Sequence, residues 1–101
     1  MNVTLDSDAS VQGHTEGYYT LNSMGNEKQN WIQVQGSGAI WYNETHKNWM
    51  IGHKENLGSS GCVLGSTQNT IRPEEATTWM YVNGDGEWLP TSNIFGSLSM
   101  Y

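Results

Sequence analysis

The sequence predicts one all-β domain: a small antiparallel meander of six to eight strands, sandwich-like or barrel-like, with one short helical turn near Pro73. Three observations point there. No window of eleven or more residues carries a convincing 3.6-residue apolar period, so no amphipathic helix is expected. Short aromatic and β-branched runs recur instead between turn residues, and Gly, Asn, Ser and Thr fill 41 of the 101 positions. The segment from Asn30 to His53 also sets its apolar residues at period two across two successive loops.

The elements follow in order. Val3 to Leu5 and Tyr18 to Leu21 read as the first strands. Trp31 to Gln35 is the next, followed by a Gly36-Ser37-Gly38 turn, a strand from Ala39 to Asn43, a loop from Glu44 to Lys47, and a strand from Asn48 to His53. A three-residue turn sets Val34 opposite Ile40 and Ile32 opposite Tyr42. The four-residue loop sets Tyr42 opposite Trp49 and Ile40 opposite Ile51. One face then carries Ile32, Val34, Ile40, Tyr42, Trp49 and Ile51, the expected core. The other face mixes Trp31, Trp41 and Met50 with Gln33, Gln35, Asn43 and Asn48.

Gly61 to Leu64 is expected as a short strand. Arg72 to Ala76 is the place for the helical turn, with Thr70 as cap and Pro73 in the first turn. Thr77 to Asn83 leads through Asn83-Gly84-Asp85-Gly86, a tight-turn signal, into Glu87 to Leu89. Pro90 ends the pairing or marks an edge. Residues 91–101 read as an edge strand or tail, and the core spans about residues 3–90 of a single domain covering 1–101. No linker divides the chain and no internal repeat is evident.

Composition bounds the function. Leu, Ile, Val and Phe total 17 residues, few enough to make disorder a serious prior. Five Trp, five Tyr and five Met oppose that, because each aromatic buries roughly 150–250 Å². The net charge is −6, and Lys28, Lys47, Lys54 and Arg72 are scattered, which argues against nucleic acid and anionic membranes as partners. No apolar run approaches a membrane span, and the polar N-terminus is not a signal peptide, so a secreted protein would carry this as a mature or excised domain. Cys62 stands alone, which excludes a disulfide scaffold; it is expected as a small buried residue at a strand start.

Catalytic and metal motifs are missing. His14, His46 and His53 show no ligand spacing, so no metal is expected. No cofactor is expected either, although Asp6-Ser7-Asp8 and Asp85-Gly86-Glu87 keep calcium open beside their plainer reading as solvated loop acids. There is no G-x-S-x-G and no phosphate-cradling glycine loop, and the chain is not expected to be an enzyme.

Recognition is the class that remains. Sugar binding needs flat aromatic faces with amides, acids and indoles for the hydroxyls. The expected contact residues are Trp41, Gln33, Asn48, Trp88 and Asp85, in a lectin-like, carbohydrate-binding module whose partner is a glycan or glycoprotein. Trp41 is open to a second reading, as core under a covering layer. The alternative function is a structural or self-associating protein-interaction repeat, a homo-oligomer through an aromatic face or edge strand. Sequons at Asn2-Val3-Thr4 and Asn43-Glu44-Thr45 point to an extracellular or secreted protein, with Asn43 beside a loop tip that tolerates a glycan.

Several stretches in order also carry a resemblance. They are Gly17-Tyr18-Tyr19-Thr20-Leu21, Ile40-Trp41-Tyr42, Trp49-Met50-Ile51-Gly52, Arg72-Pro73-Glu74-Glu75-Ala76-Thr77-Thr78-Trp79 and Gly86-Glu87-Trp88-Leu89-Pro90. The order resembles a short β-rich module repeated in large extracellular or multidomain proteins of marine invertebrates, algae and other eukaryotes. The resemblance spans about residues 13–90 and implies an adhesive or recognition unit. It designates no site residues.

Overall fold

A computed structural model describes residues 1–5, 7–25, 28–91 and 94–95. The chain is all-β, as expected. Its strands are β1 (Asn2–Val3), β2 (Gly17–Gly25), β3 (Lys28–Gln33), β4 (Gly38–Asn43), β5 (Asn48–His53), β6 (Leu64–Ser66), β7 (Trp79–Val82) and β8 (Trp88–Thr91). They form one antiparallel sheet in strict chain order, a meander. The sheet curls into a half-barrel. Beyond the two end strands, Thr4 N donates to Ile94 O at 2.7 Å.

The β4–β5 hairpin has the expected register, with Tyr42 opposite Trp49 and Ile40 opposite Ile51. The β3–β4 register corrects the expectation: Trp31, not Val34, stands opposite Ile40. The offset is odd, so the faces of β3 exchange. Trp31 joins the inner core, Ile32 turns to the outer face, and Val34 is 53% exposed. The cause is Gln33, which the alternation rule treats as a surface amide. Its Oε1 accepts from Gly38 N at 2.9 Å, while its Nε2 donates to Glu16 O at 2.8 Å and His14 O at 3.2 Å. Gly38 is a glycine because a Cβ there would stand 2.4 Å from Tyr19 Oη and 2.7 Å from Gln33 Oε1.

The inner face packs Tyr19, Trp31, Ile40, Trp49, Ile51, Leu64, Trp79 and Tyr81 against Ala9, Ile94 and Phe95. Tyr19 is wholly buried, and its hydroxyl donates to Thr15 O at 2.7 Å. Gly17, two residues before it, has φ +135°, a conformation that excludes most side chains. That is the physical content of the G-x-Y stretch. A second cluster of Ala39, Trp41 and Met50 lies on the outer face, roofed by Leu57 and Cys62 of the β5–β6 connection.

Four of the five tryptophans are buried, and Trp88 is not. In three of the four the indole N–H is donated to a connecting segment. Trp41 Nε1 bonds Ser59 O at 2.9 Å, Trp49 Nε1 bonds Thr70 O at 2.9 Å, and Trp79 Nε1 bonds Ala76 O at 3.0 Å. A buried indole satisfied in this way keeps its packing area without an orphaned donor. This is how a core poor in aliphatics is filled.

Other expectations shift locally. Residues Ser7–Thr15 form a 3-10 segment that puts Ala9 into the core and ties to β7, where Gln12 Nε2 donates to Val82 O at 2.7 Å. The short strand expected at Gly61 to Leu64 is β6, at Leu64–Ser66. The turn at Pro73–Glu75 is present, but Arg72 is its N-cap residue; Thr70 Oγ1 instead donates to Arg72 O at 2.7 Å. Pro90 lies inside β8, the outermost strand, where a missing N–H leaves no partner wanting. Ile94 and Phe95 are core rather than tail, while residues 92–93 and 96–101 lie outside the described residues.

Candidate functional site

The outer face of the sheet carries one row that decides the site. Register aligns Trp41, Met50, Gly65, Met80 and Pro90 side by side across β4 to β8. Gly65 contributes no side chain, so the row dips between the two methionines. A groove of about 380 Å³ opens there, lined by His46, Asn48, Met50, Ser60, Cys62, Gly65, Ser66, Met80 and Trp88. A Cβ at Gly65 would stand 3.3 Å from Asn48 Nδ2 and 4.0 Å from Cys62 Sγ, which places both groups at the groove floor.

The polar groups here are held. Asn48 Nδ2 donates to Ser66 O at 3.0 Å, whereas Asn48 Oδ1 is buried without a hydrogen-bond donor. His46 Nδ1 lies 3.1 Å from Asn43 Oδ1, an oxygen that only accepts. Nδ1 is therefore the donor in that contact. Trp88 projects from β8 with 45% of its surface exposed, the one tryptophan that is not buried.

Of the five residues expected to contact ligand, the fold brings two together: Asn48 and Trp88. Trp41 is 2% exposed beneath the β5–β6 connection, and its indole is committed to Ser59 O, so it is core. Gln33 is buried and spends its whole amide on backbone groups. Asp85 sits at the exposed tip of the β7–β8 turn, where Asn83 Oδ1 accepts from the backbone N–H groups of Asp85 and Glu87, each at 2.9 Å; it does not line the groove. Met80, Cys62, Ser60 and His46 were not expected there. Finding them needs the β5–β6–β7 register, which hangs on a three-residue strand containing a glycine.

Among the described residues, no group of three or more His, Cys, Asp or Glu is placed to hold a metal ion. Asp6 of the Asp6-Ser7-Asp8 pair lies outside those residues. No helix among the described residues is long and apolar enough to cross a membrane. One sequon is corrected. Asn43 is 4% exposed, and its Nδ2 donates to Ser59 O at 3.0 Å and Ser60 Oγ at 3.3 Å, so a glycan there is incompatible with the folded loop. Asn2 is exposed.

Cys62 is a free, half-buried thiol, and burial pushes its pKa up to about 11. Burial raises the Tyr19 hydroxyl in the same direction. Both groups favour the neutral form in the fold more than in the unfolded chain. Their contribution is therefore complete below the unfolded thiol's range and lost as pH rises through it toward 11. Denaturant midpoints are expected to fall between about pH 9 and 11, and Cys62→Ala with Tyr19→Phe is expected to flatten that fall. An unchanged slope in the double variant would assign the alkaline loss to other groups.

Compared with protein-family models, curated proteins and solved structures, the chain matches none.

Proposed function

We propose that the domain is a non-enzymatic, lectin-like recognition module that binds carbohydrate in the groove over Gly65, as part of an extracellular or secreted protein of the repeated β-rich kind its motif order resembles. One observation carries this reading: the single exposed indole, Trp88, borders a groove that also holds Asn48, His46, Ser60 and Ser66. A pyranose ring has an apolar C–H face that stacks on an indole, and hydroxyls that seek amide, imidazole and hydroxyl partners. The lining brings together no pair of carboxylates, and its thiol is held protonated, which favours binding over acid–base or nucleophilic chemistry. Placement outside the cell draws its support from the Asn2 sequon and the motif order.

Trp88→Ala is the direct test. Sugar affinity is expected to fall on the order of ten-fold, while stability shifts by less than about 1 kcal/mol, because the side chain packs at the rim. A glycan array read by tryptophan fluorescence, with and without calcium, screens the sugar classes. Silence across all of them sinks the proposal.

A self-associating repeat is the second reading. Tyr18 and Val34, 55% and 53% exposed, face each other at one end of β2 and β3, where Val34 N donates to Tyr18 O at 2.8 Å. Light scattering separates the two readings, and a monomer at high concentration counts against this one.

A further inference from the structure

We infer that the sugar held in this groove is a 2-acetamido sugar, with its acetamido group lying over Gly65; this rests on the carbohydrate reading above. The groove is chemically uneven. Its middle is bounded by Met50, Met80 and Cys62, three sulfur-bearing side chains around a glycine. Met50 and Met80 stand directly across from Gly65 on either side, so their backbones are two strand spacings apart, about 10 Å. The bare Gly65 surface between them leaves space, with Cys62 Sγ at its margin.

A plain hexose suits this part of the groove poorly. Its hydroxyls would lose water over thioether and thiol groups with little to bond in return. An acetamido substituent ends in a methyl group, which polarizable sulfur accommodates by dispersion. It also carries an N–H, and beside the methionine row lies a buried acceptor without a donor. Asn48 Oδ1 is buried and unpaired, while Asn48 Nδ2 is already committed to Ser66 O at 3.0 Å. A ligand N–H reaches that oxygen only if the side chains covering it move aside, so the contact is part of the inference. The amide N–H itself only donates, whereas a hydroxyl both donates and accepts; the acetamido C=O still needs a donor or water of its own. His46 and Ser60 remain for the ring hydroxyls.

The test is calorimetric titration with 2-acetamido-2-deoxyglucose and 2-acetamido-2-deoxygalactose beside glucose and galactose. The acetamido sugars are expected to bind about ten-fold more tightly, the scale of one buried methyl plus one hydrogen bond. They are also expected to slow alkylation of Cys62, the only cysteine, where the parent sugars do not. Gly65→Ala fills the floor with a Cβ that meets Asn48 Nδ2 at 3.3 Å, and should bring the acetamido sugars down to the affinity of their parents. Met80→Leu, which keeps the volume and removes the sulfur, is the second variant should Gly65→Ala fail to fold; about a three-fold loss confined to the acetamido sugars is expected. Equal binding of acetamido and parent sugars overturns this inference and leaves the carbohydrate reading intact. Absence of binding by any sugar overturns both. A preference that survives both variants overturns the placement over Gly65.

Discussion

Trp41→Ala is expected to cost the domain about 3–5 kcal/mol, a large share of the 5–15 kcal/mol typical of a small fold. The side chain is 2% exposed and packs with Ala39 and Met50 under Leu57 and Cys62. Truncation leaves a cavity the size of an indole between the sheet and the β5–β6 connection. It also removes one of the two donors to Ser59 O, the indole N–H at 2.9 Å. Asn43 Nδ2 donates to the same carbonyl at 3.0 Å, so the connection would stay attached there while its underside emptied. Urea denaturation is the measurement: the midpoint should drop, with sugar affinity near wild type wherever the variant is still folded. An unchanged midpoint with lost binding would return Trp41 to the ligand site.

Gln33→Leu is the second large effect. Leucine matches the shape of the glutamine stem but makes none of its hydrogen bonds. Three backbone groups then lose a partner: Gly38 N–H, Glu16 O and His14 O. A stranded buried group costs about 1–3 kcal/mol, and two of these three bonds are only partly buried, so a total of about 2–5 kcal/mol is expected. The structural signature is as informative as the midpoint. Gln33 joins the β3–β4 hairpin to the end of the Ser7–Thr15 segment, so amide hydrogen exchange should accelerate first at Gly38 and around Glu16. Uniform acceleration across β5 and β7 instead would mean that the amide has no local role.

Much of the fold was legible because turns and alternation speak locally. The Glu44–Lys47 loop and the Asn83–Glu87 turn each set a hairpin from neighbouring residues alone. The β3–β4 register was not legible in this way. It is set by an amide that bonds across the chain to residues 14, 16 and 38, and no period-two rule contains that information. The same limit explains the site. Asn48 and Trp88 carry recognizable chemistry, and the fold does unite them. The residues between them are a glycine and two methionines, whose significance is their alignment across strands. Trp41 and Gln33 misled for one shared reason: side chains suited to ligands are equally suited to satisfying buried backbone.

The three bonded indoles have a further consequence. Small domains short of aliphatic core are commonly held by disulfides, which depend on an oxidizing compartment. Here Trp41, Trp49 and Trp79 staple connecting segments to the sheet by non-covalent means. Such staples are indifferent to redox conditions, so the domain should fold as well in a reducing solution as in an oxidizing one. They also hold only while the rings are packed. A disulfide survives unfolding and keeps its loop tethered; these let go together, and a chain that begins to melt retains no covalent memory of its fold.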